Sequence, residues 1–247
     1  MDEVLAGRTA LVVGASEGVG RIYSLALAQA GVKVAAVARR VLPRDGDPAC
    51  LQEVMEAGRG LGPPILGLGA DISSKADIER VVDETLAHLG HIDIFIFNAK
   101  SSSGYSDCLS VPDEHWDNTL QINLRAPYAF LQKIVPGMKA RRSGSIIMMS
   151  TRCALPVSID DPGHKNLLAY GVTKAALQRL STYFSAELAP YGIAVNSLSP
   201  GNVNVLTGGA PPSIEQFAPP LLHLARQTAQ TMTGAWLNTT DYGTAWP

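Results

Sequence analysis

Cysteine is scarce, charge is sparse and nearly balanced, and no apolar run is long; each absence removes a class of protein. The three cysteines, Cys50, Cys108 and Cys153, stand far apart with no Cys-x-x-Cys pair or histidine cluster beside them, so neither a disulfide frame nor a metal site is expected. Charged residues make up 17% of the chain and the formal net charge is only -2, which leaves no basic footprint for nucleic acid or anionic lipid. No apolar stretch reaches the roughly 20 residues that cross a bilayer, and the start, Met1-Asp2-Glu3-Val4-Leu5, is acidic, unlike a secretion signal. A soluble, cytoplasmic protein that touches neither membrane nor nucleic acid is expected.

What the chain does have is apolar residue, 46% over 247 positions, enough for one large core. Arg8 to Val13 is a β-rich run that ends at Gly14-Ala15-Ser16-Glu17-Gly18-Val19-Gly20 and leads into an Ala/Leu-rich helix stopped at Gly31. Such a strand, glycine turn and helix let a pyrophosphate approach backbone N–H groups at a helix N-terminus, or serve merely as a tight turn. A second strand, Val32 to Ala38, ends at Arg39-Arg40; arginines there suit the 2′-phosphate of NADP, whereas NAD selects for an acid. Further strands are expected at Pro64 to Ile72 (ending near Asp71), Ile92 to Phe97 (running into Asn98-Ala99-Lys100), Ser145 to Met149, Ala194 to Leu198 and Ala235 to Leu237. Helices are expected after Ser74, from Pro112 with a bend at Pro127, through Tyr170, and from Pro219 to Met232. The strands are continuously apolar and alternate with helices, the pattern of a doubly wound parallel α/β sheet covered on both faces. No linker divides the chain, so a single domain over 1–247 is expected, with a substrate loop at about 199–218.

Within the run Leu167 to Leu180, Tyr170 and Lys174 are four apart, which on a helix stacks the phenol one turn from the ammonium. A cation beside a phenol favours the phenolate and brings its pKa nearer working pH. The same spacing alone also fits a surface tyrosine and a solvated lysine.

Taken in order, the Gly14–Gly20 turn, Asp71, Asn98-Ala99, Asn123, Ser150-Thr151, Tyr170-Gly171-Val172-Thr173-Lys174 and Pro200-Gly201 resemble the short-chain dehydrogenase/reductase family. The resemblance implies a Rossmann-type fold, commonly a homotetramer or homodimer, that exchanges a hydride between NAD(P) and a small-molecule carbonyl or alcohol. It implies Tyr170 as general acid/base, Lys174 as ribose ligand and promoter of the phenolate, Thr151 as hydrogen-bond partner of the substrate oxygen, and Asn123 in a proton relay. For the cofactor it implies Gly14, Ser16, Glu17, Gly18, Val19 and Gly20 at the phosphates, Arg39 and Arg40 at the 2′-phosphate, and Asp71 and Ile72 at the adenine. Asn98 and Ala99 with Tyr170 and Lys174 would then hold the ribose, and Pro200, Gly201 and Val203 the nicotinamide. NADP(H) is expected over NAD(H).

Several residues depart from the family pattern. Val13 stands in a threonine position, Glu17 where NADP-dependent members often carry a base, and Lys100 where glycine is usual. Thr151 occupies the serine position, and adjacent strand residues point to opposite faces, so Ser150 cannot substitute for it. The interval between Thr151 and Tyr170 is long, with the extra residues in Ser158 to Asn166, and His164 there reads as a loop residue. The stretch from Asn202 to Pro212, with Val205 in a threonine position, is short for a substrate lid, and its apolar character points to an uncharged substrate. Two further readings share the scaffold: a redox-neutral isomerase, epimerase or lyase, and a non-catalytic NADP-binding sensor.

Overall fold

Short, mainly apolar runs, too short for helices, become the strands of one parallel sheet. In the computed structural model, which describes residues 2–45, 47–102, 107–156, 166–201 and 213–246, these are β1 (Thr9–Val13), β2 (Lys33–Ala38), β3 (Leu66–Gly69), β4 (Ile94–Phe97), β5 (Gly144–Met149), β6 (Ile193–Ser199) and β7 (Trp236–Asn238). Their spatial order is β3-β2-β1-β4-β5-β6-β7 with every neighbouring pair parallel. The order reverses between β1 and β4, and such a switch point opens a crevice at the carboxyl ends of the strands.

Side chains alternate across the sheet into two cores. Ala10 and Val12 of β1 join one with α1 (Gly18–Gln29), α2 (Leu51–Ala57) and α7 (Ile214–Ala225). Leu11 and Val13 join the other, with α3 (Lys75–Leu89), α5 (Ala126–Arg141) and α6 (Leu168–Leu188). Every residue of β1, β4, β5 and β6 is buried, which is why these strands read as mainly apolar runs without alternation.

Two helices differ from expectation. The long helix from Pro112 is interrupted, with α4 at Asp113–Leu120, a π-helical turn at Gln121–Arg125 and then α5, so the distortion centres on Asn123 and Pro127 sits in the first turn after it. Pro127 has no N–H to offer the carbonyl four residues back, which belongs to Asn123. The last helix begins at Ile214, capped by Ser213, whose Oγ accepts from Gln216 N, and it ends at Ala225. Pro219 and Pro220 lie inside it and not at its start. The carbonyls four residues before them belong to exposed Glu215 and Gln216, at the solvent side of the first turn.

Candidate active site

The glycine turn is closed by packing against the end of β4. The Gly14 backbone has φ +85°, and a Cβ there would lie 2.5 Å from Ala99 N; one on Gly20 would lie 2.0 Å from the Gly14 carbonyl oxygen. Asn98 Nδ2 donates to that same Gly14 oxygen at 2.8 Å, and the Asn98 and Ala99 N–H groups both donate to Val13 O at 2.9 Å. Asn98 and Ala99 therefore bind the turn to β4. Ser16 is half-buried, Val19 is buried, and exposed Glu17 is the N-cap of α1 without a side-chain capping bond.

The two arginines after β2 have different roles. Arg40 is committed: its guanidinium pairs with Asp47 and donates from Nη1 to Ala49 O at 3.0 Å. To meet a 2′-phosphate Arg40 would have to leave Asp47, so Arg39 is the more open of the two arginines. Arg39 is exposed, has no ion pair or hydrogen bond among the described residues, and lies near enough to Asp71 to help lower its carboxyl pKa. The larger causes of that lowering are hydrogen bonds from the Ser73 N–H and hydroxyl, both to Asp71 Oδ1. Ile72 is buried beside it.

Four residues far apart in sequence meet at the carboxyl ends of β4 and β5. Asn123, wholly buried on the π turn, donates from Nδ2 to Ser101 O at 2.9 Å and to Thr173 Oγ1 at 3.0 Å, while its Oδ1 accepts from Ser101 N at 2.8 Å. Thr173 Oγ1 in turn donates to Tyr170 O at 2.9 Å, so the amide fixes α6 to the loop after β4. Lys174 is 1% exposed and donates from Nζ to Met149 O at 2.7 Å. Its Nζ lies 5.8 Å from the centre of the Tyr170 ring. The Thr151 hydroxyl lies near enough to the Tyr170 phenol to act on its pKa, and its Oγ1 accepts from Cys153 N at 3.2 Å. Ser150 faces away, its Oγ accepting from Trp236 Nε1 at 3.1 Å, as the strand alternation requires.

The protonation of the pair departs from the sequence expectation. Burial pushes the Tyr170 phenol up to about 12, the Cys153 thiol beside it adds to the rise, and only the neighbouring Thr151 hydroxyl acts downward. Lys174 does not lower it, because the lysine is itself pushed down to about 7, first by burial and then by the Lys100 ammonium. A buried lysine whose Nζ is spent on a carbonyl is a weak source of positive field at neutral pH.

Sequence reasoning missed Ser101, Met149, Cys153 and Trp236, which hold the site from loops and strand ends; only Thr173, inside the Tyr170 run, carried a signal. Val203, Val205 and His164, with the loop Ser158 to Lys165 and the stretch Asn202 to Pro212, lie outside the described residues. Pro200 and Gly201 follow β6 directly, and Gly201 has φ +76°.

The residues present fit a dinucleotide. The space over Gly18 holds no atom within 4 Å of where a Cβ would stand, leaving the first turn of α1 approachable. Ser199 Oγ, just before Pro200, is buried with no hydrogen-bond partner among the described residues.

Comparison with known proteins agrees with this geometry. A family model described as short chain dehydrogenase matches residues 8–212. The chain is 34% identical over 197 residues to "Dehydrogenase/reductase SDR family member 4" of Homo sapiens, which is 80% of this chain and 66% of the length of that relative. A solved short-chain type dehydrogenase/reductase from Mycobacterium marinum superposes with a TM-score of 0.80 at 28% identity, over 95% of this chain and 94% of the other. A metagenomic short-chain oxidoreductase, solved in complex with NADP, gives a TM-score of 0.80 at 26% identity, over 95% and 98%.

Proposed function

The chain belongs to the short-chain dehydrogenase family of NAD(P)-dependent oxidoreductases, and on that premise we propose that it moves a hydride between a nicotinamide and a small-molecule carbonyl or alcohol. The observation that carries this reading is the placing of the Tyr170 ring 5.8 Å from the Nζ of buried Lys174, on a helix that Asn123 ties through Thr173 to the loop after β4.

In reduction, negative charge develops on the carbonyl oxygen, and two hydroxyls aimed at it stabilise that charge as it forms. Tyr170 donates its proton to that oxygen. A phenol held near 12 keeps its proton throughout the neutral range, so reduction is the direction it serves there. Thr151 donates to the same oxygen and is oriented by the Cys153 N–H. Lys174 holds the ribose, and Asn123 keeps α6 and the loop after β4 in register and anchors the proton path. Gly14, Ser16, Glu17, Gly18, Val19 and Gly20 take the phosphates, Asp71 and Ile72 the adenine, and Pro200, Gly201 and Val203 the nicotinamide.

NADP(H) is preferred over NAD(H), now chiefly on Arg39. The protein acts as a single domain, its substrate loop, expected at about 199–218, ending no later than Ser213 because α7 begins at Ile214, and assembles as a homodimer or homotetramer. A groove of about 540 Å³ between α4, the π turn and α6 supports assembly: Leu120, Leu124, Tyr128 and Leu180 line it, and the Tyr128 and Phe184 rings beside it lie 6.4 Å apart. Three free thiols suit a reducing, cytoplasmic setting. The test is oxidation of NADPH and NADH across a panel of ketones and aldehydes: turnover faster with NADPH is expected, and tight NADPH binding without turnover of any carbonyl would favour the sensor reading.

A further inference from the structure

Lys100 stands at a position the cofactor does not need a cation, and its backbone is held on both sides. The preceding residue donates from Ala99 N to Val13 O at 2.9 Å. The following residue is clamped three ways: Ser101 N donates to Asn123 Oδ1 at 2.8 Å, Asn123 Nδ2 donates to Ser101 O at 2.9 Å, and Asn118 Nδ2 donates to Ser101 Oγ at 3.0 Å. β4 and β5 are parallel neighbours with Phe97 opposite Met148, so the segments leading to Lys100 and to Thr151 leave the sheet at the same carboxyl edge. Its side chain is exposed and has no acidic partner among the described residues. Arg152, in the turn directly after Thr151, is likewise exposed and without one. Two such cations, on segments that leave the same edge of the sheet as Thr151, are an arrangement for a negatively charged group.

We propose that Lys100, with Arg152, binds a carboxylate or phosphate carried by the substrate, so that the carbonyl compound reduced here is an anion. This rests on the reductase reading and replaces the uncharged substrate suggested by the apolar stretch after Gly201. The electrostatic influence of Lys100 on Lys174 agrees with an ammonium directed toward the reacting groups. The alternative source of negative charge is the cofactor diphosphate, which the glycine turn and the first turn of α1 already serve.

The experiment compares wild type, Lys100→Gln and Lys100→Arg on three oxo acids (pyruvate, acetoacetate, levulinate) and their methyl esters. In parallel, NADPH affinity is read by fluorescence and binding of each acid to the NADPH-loaded protein by calorimetry. Wild type is expected to favour acid over ester in kcat/KM, with Lys100→Gln losing about tenfold or more of that preference while ester turnover and NADPH affinity stay put. Lys100→Arg is expected to keep most of the preference. Equal losses on acid and ester, an acid preference unchanged in Lys100→Gln, or a loss confined to NADPH affinity would each overturn the proposal, the last assigning Lys100 to the diphosphate. If calorimetry shows an acid bound by wild type and lost in Lys100→Gln while no compound turns over, the anion site stands and the reductase reading fails. Absence of binding by all three acids overturns the site.

Discussion

Lys174 makes stability depend on pH in a way that can be calculated. Its ordinary value of 10.5 falls to about 7 in the folded protein, because a 1% exposed ammonium has lost its water and gained only the Met149 carbonyl. That gap corresponds to about 5 kcal/mol, at about 1.4 kcal/mol per unit of pKa. The unfolded chain holds its proton up to 10.5 and the folded chain gives it up near 7, so between those values the unfolded state binds more protons and stability rises with pH. The penalty is complete below about 7 and gone above 10.5. Urea unfolding of wild type and Lys174→Met at fixed protein concentration isolates this contribution, since other titrating groups cancel in the difference. Wild type is expected to gain roughly 2 to 3 kcal/mol on Lys174→Met between about pH 7.5 and about pH 9.5, close to the slope of one proton. Replacing Lys100 with glutamine shifts the rise to higher pH. A difference that stays flat across this range refutes a proton lost from Lys174 on folding.

Other consequences follow from individual contacts. Thr151→Val removes the hydroxyl aimed at the substrate oxygen and should lower kcat roughly 100-fold, while Thr151→Ser stays within about tenfold of wild type; steady-state kinetics separate them. Gly20→Ala places a methyl 2.0 Å from the Gly14 carbonyl oxygen and should cost about 2 kcal/mol or more in urea unfolding, with weaker cofactor binding; a neutral result would mean the turn can open. Arg39→Ser should weaken NADPH binding about tenfold and leave NADH unchanged, whereas Arg40→Ser should change both little and act on stability through the lost Asp47 pair. Fluorescence titration with the two cofactors checks both.

Much of the architecture was legible because its cause is local. Buried parallel strands are apolar throughout, helices between them carry their own periodicity, and Gly14 and Gly20 mark a turn that admits no Cβ. The set Asn123, Thr151, Tyr170 and Lys174 was readable as an ordered pattern, though no single member was. What escaped depends on contacts between distant segments. Nothing near Arg40 announces that Asp47 will claim it, and nothing in the Asn123 helix distinguishes a π turn from a bend at Pro127, because the choice is set by Ser101 and Thr173 closing on the amide. Pro219 and Pro220 looked like the first residues of a helix, yet Ser213 supplies a better cap. The phenol and ammonium values could not be read from a four-residue spacing, since burial outweighs their mutual charge and burial is a property of the whole fold.

The central claim is that Tyr170 gives the proton that completes carbonyl reduction, and one measurement tests it directly: single-turnover oxidation of NADPH by wild type and Tyr170→Phe with a carbonyl the wild type reduces. The account predicts a rate lower by about 1,000-fold or more in Tyr170→Phe with the NADPH dissociation constant unchanged. A Tyr170→Phe enzyme that still turns over near the wild-type rate contradicts it.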